Sequence, residues 1–454
     1  MNKILCFYIL LMGFVTGYAQ KASIPFQETI SRKQAIEDLD TLAYSLREMH
    51  PAPFQNNSEK AFNKTVKGIE ESLPETISIL DFYKSLKPLT AMFKEGHTFL
   101  NFPYEDMEKY NVPVFPLAIT VKPGKHTIYS AKDYYVNDKL LISKGTQILS
   151  INDKRGKSLI NQLLKYGEGE RDFFRCIGVE QLFTEHLYML YPDTVFHLKL
   201  KTKKGIEYKT IKAVSYSKHQ KSERSPVPPY YSCKQLDNNT MFMTLNMCMP
   251  GSDPVTFIDS MFQIIKEKNI HNLIIDIRTN PGGYSNIVDS LLRYITHVPF
   301  QQCNRVVCKY STPMKIISKK YGTNLDSIPN GLEEIRVDEF IHPHDHSKHF
   351  NGKTYLLTSH MTFSSAADLS WTFKYFKMGT IIGEETGGMN VCCGEVFIQQ
   401  LPHSQITYGI PCKIIYQYGA DDRHIHGTLP DIKISQEKAL EKALQLIATE
   451  SVKK

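Results

Sequence analysis

A serine beside a helix start is the first residue whose type and position could do chemistry. The segment 358–368 reads TSHMTFSSAAD, in which a buried strand ends and a helix begins at Ser365 after a short turn. This order places a hydroxyl at the mouth of a sheet, near backbone amides and the positive end of a helix dipole. A serine at a helix start is more often only an N-cap. Because Ser365 and Asp368 have the spacing of a capping box, we assign the cap to Ser365 and predict Ser364 as the nucleophile.

Two glycines after another strand could supply an oxyanion hole, the set of amides that binds negative charge during acyl transfer. The segment 273–283 reads LIIDIRTNPGG, a continuous apolar run followed by a turn. Gly282 and Gly283 allow a sharp turn with unobstructed amides, although paired glycines more often make plain turns. We expect Asp276 and Arg278 to hold this turn by pairing.

An activated serine also needs a base, because a hydroxyl is a poor nucleophile at its own pKa. The histidines near the motifs are His97, His360, His424 and His426. An isolated histidine is usually a surface or core residue, and the residues alone do not select one of the four.

Four segments of the chain must position these residues. Residues 1–19 have a basic start and an apolar run that ends in small residues, which predicts a signal peptide and export to the periplasm or the exterior. Residues 20–110 have apolar positions three and four apart and predict a helical cap domain. Residues 111–215 alternate apolar and polar side chains, which predicts a β-rich domain. Residues 216–454 alternate strands and helices, so we predict a multi-domain α/β fold whose strand-end loops meet at one edge of a sheet.

Composition and charge exclude several classes of function. The 454 residues carry 54 Lys and Arg against 47 Asp and Glu with both signs interspersed, so nothing favours a nucleic-acid partner. No apolar run after residue 19 is long enough for a membrane anchor. Four histidines within 342–349 could bind metal, but their spacing and a proline favour a solvated loop, and we expect neither metal nor cofactor. The cysteines after Cys6 are expected mostly as thiols, with a Cys303–Cys308 bridge as a candidate.

Three motifs taken together resemble the tail-specific, or C-terminal processing, serine peptidases. They are LIIDIRTNPGG at 273–283, YLLTSHMTFSSAADL at 355–369 and IIGEETGG at 381–388. The resemblance extends over 241–434, including the closing GTLPDIKI, and more weakly over the preceding segments. It implies a crotonase-like α/β core and cleavage of exported polypeptides, often near their C-termini. Separately, the segment 144–153, KGTQILSIND, followed by a short helix, resembles a PDZ domain, a module that binds peptide ends. We therefore predict a PDZ-like domain at 111–215, with any small β-rich insert as the alternative.

The resemblance also separates two catalytic types within the family. In one branch a lysine downstream of the nucleophile is the base, and the matching position here is Met389, so that chemistry is absent. In the tricorn-like branch the base is an upstream histidine, and the segment 95–98, EGHT, resembles its DGHT element. The resemblance therefore implies His97 as base, with oxyanion donors from Gly282 or Gly283 and from Ser365.

One position departs from the tricorn-like pattern. That branch has a glutamate three residues before the glycine of its closing motif, and here the position is His424, ahead of Gly427. The acid that orients the base is missing from this place, and either Asp421 or Asp422 substitutes for it or a neutral polar group suffices. The departure also motivates an alternative function, a catalytically impaired pseudopeptidase that only binds peptides.

Overall fold

The structure, a computed structural model, describes residues 29–223, 227–251, 253–345 and 347–451. The predicted signal peptide, residues 1–19, lies outside these ranges. Within them, no helix combines the length and the apolar character that crossing a bilayer requires. The fold is mixed α/β with several sheets, which confirms the predicted class.

Helices and strands alternate through most of the described chain. The α-helices are α1 (Arg32–Met49), α2 (Glu59–Ser72), α3 (Ile79–Ala91), α4 (Tyr104–Tyr110), α5 (Gly156–Leu163), α6 (Asp172–Gln181), α7 (Phe183–Leu190), α8 (Tyr216–Glu223), α9 (Pro254–Glu267), α10 (Ser285–Ile295), α11 (Thr312–Lys320), α12 (Ser365–Tyr375) and α13 (Gln436–Ser451). The strands are β1 (Thr29–Ser31), β2 (Thr76–Ser78), β3 (Phe99–Leu100), β4 (Pro113–Val114), β5 (Ile119–Lys122), β6 (Thr127–Ser130), β7 (Tyr134–Val136), β8 (Lys139–Ile142), β9 (Gln147–Ile151), β10 (Lys154–Arg155), β11 (Val195–Thr202), β12 (Gly205–Lys212), β13 (Val214–Ser215), β14 (Tyr231–Asp237), β15 (Thr240–Leu245), β16 (Asn272–Asp276), β17 (Cys303–Tyr310), β18 (Gly331–Arg336), β19 (Lys353–Thr358), β20 (Thr380–Gly383), β21 (Val391–Gln400), β22 (Thr407–Gln417) and β23 (Ile432–Lys433).

The chain forms two compact units, each built from three segments. Unit 1 contains the described parts of 1–226 with 309–331 and 395–412, and unit 2 contains the described parts of 227–308, 332–394 and 413–454. The predicted domains, 20–110, 111–215 and 216–454, stay predictions, as do the PDZ-like and crotonase-like assignments.

Unit 1 begins with the three predicted helices of the cap. Ser31 and Gln34 form a reciprocal capping box that starts α1, and the side chains of Ser58 and Ser78 cap α2 and α3. The apolar stripe of α1 is fully buried at Leu39, which contributes roughly 1.5–3 kcal/mol as a buried leucine does.

The rest of unit 1 contains a twisted antiparallel sheet in the order β12-β11-β9-β6-β5. Its inward residues pack against α5, α6 and α7 around a continuous core. The prediction of strands over 111–215 is wrong for residues 172–190, which form α6 and α7. The buried residues Cys176, Val179, Phe183 and Leu187 recur three and four apart, which is a helical spacing.

Unit 2 is organised around a six-stranded sheet in the order β14-β15-β16-β19-β20-β23. The pairs from β15 to β23 are parallel, and β14 is antiparallel to β15. Apolar residues of α9, α10 and α12 cover one face, and α13 covers the other through Ala439 and Ala443. Burial on both faces explains the uninterrupted apolar runs of these strands.

The expectation that most cysteines are thiols is confirmed, and the candidate Cys303–Cys308 bridge is wrong. All eight cysteines from Cys176 to Cys412 are present as thiols. Cys303 and Cys308 lie on the same strand, β17, and five residues of extended chain span roughly 16 Å, far beyond disulfide reach.

A buried ion pair in unit 1 gives a test of this packing. Lys87 is 2% exposed, and its Nζ donates to Glu168 and to the Leu100 carbonyl. Lys87→Met should lower the free energy of unfolding by about 3 kcal/mol, because Glu168 keeps a buried charge without its counter-ion. The double variant Lys87→Met with Glu168→Gln should recover most of this loss in urea denaturation. Equal costs for the single and double variants would contradict a paired charge.

Candidate active site

Three loops meet at one edge of the parallel sheet of unit 2, as the sequence predicts. They follow β16, β19 and β20, whose carboxyl ends are adjacent because Asp276 pairs with Leu357 and Thr358 with Gly383. The Phe363 N–H donates to the Asn280 carbonyl at 3.0 Å, which joins the first loop to the second. The Gly387 N–H donates to the Thr362 carbonyl at 2.8 Å, which joins the second to the third.

Ser364 has a strained backbone at the point where its loop enters α12. Its φ of 50° and ψ of −132° lie outside the regions that non-glycine residues normally occupy. Such a conformation costs on the order of 1–3 kcal/mol and is characteristic of a nucleophile held on a sharp strand-to-helix turn. Ser364 is the N-cap residue of α12, yet its side chain makes no capping hydrogen bond.

The prediction that Ser365 is the N-cap is therefore wrong, because Ser364 occupies that position. The Ser364 hydroxyl nevertheless makes no capping hydrogen bond, as the prediction of Ser364 as nucleophile requires. Ser365 lies one residue inside the helix rather than at its cap. Its hydroxyl donates to the Gly283 carbonyl at 2.7 Å and lies 3.1 Å from the hydroxyl of Ser285. Ser365 thus fixes the glycine loop against the start of α12.

Gly282 packs directly against the serine. A Cβ atom at Gly282 would lie 2.6 Å from the Ser364 Cβ and 3.0 Å from the Ser365 nitrogen, and its φ is +104°. At Gly283 the φ is +136°, and a Cβ would lie 2.1 Å from the Cys248 carbonyl oxygen. No side chain fits either position, so these two glycines are required by close backbone approach.

The two glycine amides differ in their hydrogen bonds. The Gly282 N–H donates to Asn280 Oδ1 at 2.8 Å, so it is occupied within its own turn. Within the described residues, the N–H groups of Gly283 and Ser365 meet no acceptor. Ser365 follows Ser364 directly, and Gly283 follows Gly282, which packs against Ser364, so both amides stay candidates for an oxyanion hole.

The turn that carries the glycines is held as predicted. Arg278 pairs with both carboxylate oxygens of Asp276, at 2.8 and 2.6 Å. Asn280 is fully buried and its Nδ2 donates to the Leu245 carbonyl at 2.9 Å. Asp276 and Arg278 are therefore structural residues of the site.

The other candidate residues of unit 2 have their own partners. His360 Nδ1 lies 3.0 Å from the Glu385 carbonyl, and His424 Nδ1 lies 3.0 Å from Asp421 Oδ1. Asp421 also holds Arg423, and Asp422 accepts the Tyr416 hydroxyl at 3.1 Å. The carboxylates of Asp421 and Asp422 thus bind side chains within the segment 416–424.

Two further positions of unit 2 bear on the choice of base. His426 Nδ1 lies 2.7 Å from the Gly427 carbonyl. Met389, at the place of the lysine base of the other branch, is 2% exposed. An unprotonatable thioether occupies that place.

His97 lies in unit 1, where two buried side chains surround it. Glu95 Oε2 accepts the His97 backbone N–H at 2.7 Å and lies 3.7 Å from His97 Nδ1. Glu95 Oε1 lies 3.8 Å from His50 Nε2. Glu95 is 4% exposed, and although burial alone would raise the pKa of its carboxyl, the neighbouring His50 and His97 side chains hold that pKa well below its usual range.

A second acid borders this group. Burial and the charge of Glu95 raise the pKa of Glu170 to about 7, against the opposing charge of His97. The Gly96 backbone donates to the Glu170 carboxyl, whose Oε2 is inaccessible and lacks a hydrogen-bond partner among the described residues. Sequence reasoning assigned no role to Glu95, His50 or Glu170, although Glu95 stands within the EGHT motif.

The histidine-rich loop 342–349 forms no three-ligand group among its described residues. His344 packs on Tyr294, and His349 Nε2 lies 2.6 Å from the Thr296 carbonyl. Elsewhere in the described chain, three possible ligands come together in unit 1, namely His126, Asp172 and Cys176. The two ring nitrogens of His126 already lie 2.6 and 2.9 Å from Asn161 Oδ1 and Asp172 Oδ1.

Comparison with known proteins agrees with this geometry. Residues 252–434 match the model of peptidase family S41. The fold is similar to that of mature CPAF, at 15% identity over 90% of this chain and 94% of that chain, with a TM-score of 0.65. It is also similar to mature CPAF complexed with lactacystin, at 15% identity over 92% of this chain and 97% of that chain, with a TM-score of 0.64.

The serine, its helix and the glycine loop thus lie in the domain of a serine-type peptidase. Within this chain, residues 252–434 are the part that matches peptidase family S41.

The contact between Gly282 and Ser364 gives a second test. Gly282→Ala should lower the free energy of unfolding by about 2–4 kcal/mol, because a positive φ and backbone overlap act together. Gly124→Ala is the matched control, since Gly124 also has a positive φ, +71°, but has open space around it. The control should cost about 1 kcal/mol in the same chemical denaturation. A Gly282→Ala variant no less stable than the control would contradict the close approach.

The raised pKa of Glu170 predicts a pH dependence of stability. Between the ordinary value of 4.5 and the folded value of about 7, the folded state holds a proton that the unfolded state has lost, so stability falls as pH rises. Glu170→Gln removes this contribution. The free energy of unfolding of the variant relative to wild type should therefore increase by about 1–3 kcal/mol from pH 4.5 to 7.5, measured in urea. Parallel stability curves for the variant and wild type would contradict the raised pKa of Glu170. Glu180 and Asp289 also have raised pKa values, but both proteins contain them, so their contributions cancel in the comparison.

Proposed function

We propose that the protein is an exported serine peptidase in which Ser364 is the nucleophile and His97 is the general base. The observation that carries the proposal is the strained backbone of Ser364, with its side chain outside the capping role and Gly282 packed against it. A purely structural N-cap serine would adopt extended backbone angles and bond the helix amides.

The chemistry follows from the groups on each residue. His97 accepts the Ser364 hydroxyl proton as the oxygen attacks the peptide carbonyl carbon. The amides of Gly283 and Ser365 stabilise the oxyanion of the tetrahedral intermediate. The imidazolium then donates its proton to the leaving amine, and water hydrolyses the acyl-enzyme by the same route.

The substrate class and the branch are part of the proposal. Met389 removes the lysine base, which supports the tricorn-like arrangement with an upstream histidine. Exported polypeptides, cleaved near their C-termini with help from the segment 111–215, are the proposed substrates. The apolar start of residues 1–19 supports export.

Labelling with a fluorophosphonate probe tests the proposal. Wild type should be labelled, with mass spectrometry locating the adduct on Ser364, and Ser364→Ala should not be labelled. His97→Ala should lower the labelling rate by about 10²–10⁴-fold, since general-base assistance is lost.

Two controls keep the assay specific. Ser370→Ala removes a hydroxyl of the same helix that only bonds the Ala366 carbonyl, and it should label at the wild-type rate. His197→Ala removes an exposed histidine that contacts Thr210 and should do the same. Folded wild type that resists labelling would refute the proposal and favour a peptide-binding pseudopeptidase.

A further inference from the structure

The acid that orients the base is absent from its family position, which is His424 in this chain. We propose that Glu95 is the positioning acid for His97 and that His50 holds Glu95 in place. The inference rests on the proposed function, in which His97 is the general base.

The first argument is the geometry around His97. One oxygen of Glu95 accepts the His97 backbone N–H at 2.7 Å and faces the ring Nδ1 at 3.7 Å. An anion beside Nδ1 favours the tautomer with its proton there, which leaves the Nε2 lone pair to accept a proton. The contact is longer than an ideal hydrogen bond, as catalytic contacts without substrate often are.

The second argument is the tautomer of His50. The Ala52 N–H donates to His50 Nδ1 at 3.1 Å, so that nitrogen is an acceptor and the ring proton lies on Nε2. Nε2 faces Glu95 Oε1 at 3.8 Å, and the His50 ring packs on Phe93 with centroids 4.9 Å apart. His50 therefore directs its ring N–H toward the oxygen of Glu95 that His97 does not use, and among the described residues that oxygen accepts no closer donor.

The third argument is the cost of burial. A carboxylate that is 4% exposed is expensive unless donors face both of its oxygens. The His97 backbone N–H donates to one oxygen at 2.7 Å, and the His50 ring N–H faces the other at 3.8 Å from a different segment. The Glu95 carboxylate is thus kept ionised and fixed at the edge of the His97 ring.

The titratable groups around Glu95 come from three segments of unit 1. His50 follows α1, His97 precedes β3, and Glu170 precedes α6, with its carboxyl on the Gly96 backbone. In turn β3 pairs with β22, Leu100 with Tyr408 and Phe99 with Gly409, so the segment after His97 is also fixed. Glu170 braces the EGHT segment through the Gly96 backbone, while the Glu95 carboxylate faces Nδ1 of the His97 ring.

The test uses the full chain, the fluorophosphonate probe and the pH dependence of the labelling rate of Ser364. Glu95→Gln keeps the shape but replaces the anion with an amide, which favours the wrong tautomer of His97. Its labelling rate at pH 8 should fall by about 10²-fold or more. The pH of half-maximal labelling should also move down by on the order of one unit, because the imidazolium loses its counter-charge.

Two further variants keep the inference testable if Glu95→Gln folds poorly by near-UV circular dichroism. Glu95→Asp retains the charge, so its half-maximal pH should stay near that of wild type although its rate is lower. His50→Phe retains the ring contact with Phe93 but loses the donor, and its rate should fall by about tenfold. Glu71→Gln is the matched control on the exposed face of α2, and it should change neither rate nor profile.

The outcomes separate this inference from the proposed function. If Ser364→Ala abolishes labelling while Glu95→Gln keeps the wild-type rate and profile, Glu95 is not the positioning acid and the proposed function stands. The same conclusion follows if Asp421→Asn or Asp422→Asn produces the loss and the pH shift instead. If Ser364→Ala is still labelled like wild type, the proposed function itself fails.

Discussion

The close approach of Gly282 to the backbone of Ser364 is the constraint on which the candidate site depends. It fixes the serine in a strained conformation, and it is possible only because two parallel strands end side by side. Hydrogen bonds on both sides sustain the strain. Asn280 accepts the N–H groups of Phe363 and Gly282, and the Thr362 hydroxyl donates to the Ile277 carbonyl. Rigidity at this edge of unit 2 is thus built from backbone contacts rather than from catalytic side chains.

In unit 1 the main feature is the burial of ionisable side chains. Lys87 with Glu168, and Glu95 with His50 and His97, are two groups of ionisable side chains removed from water. The first group is an ion pair that also binds backbone, and such a pair is structural. The second contains two imidazoles, and imidazole is the side chain that serves most often as a general base.

The match of residues 252–434 to family S41 indicates the type of enzyme but not every residue of its mechanism. At 15% identity, the likeness to CPAF concerns the fold. At position 424 the chain differs from the family pattern. A histidine in contact with Asp421 stands where the resemblance implies a glutamate. We infer that this chain takes its acid from Glu95, two residues before the base in the sequence.

The sequence by itself determined the edge of the sheet that carries Ser364, Gly282 and Gly283. Each of these residues follows a buried strand directly, and the carboxyl ends of adjacent parallel strands must meet. Which of the two serines occupies the helix cap could not be predicted, since the hydroxyl of Ser365 turns instead toward the Gly283 carbonyl in another loop.

Only the tertiary structure decided the surroundings of His97. His50, Glu95 and Glu170 belong to segments separated by tens of residues, and each looks like an ordinary polar residue in its own segment. Their roles arise from burial and from hydrogen bonds across segments, which no local pattern encodes. The helices α6 and α7 were recognisable from their spacing, whereas this group of acids and imidazoles was not, because periodicity reports which face is buried and not which buried polar groups meet.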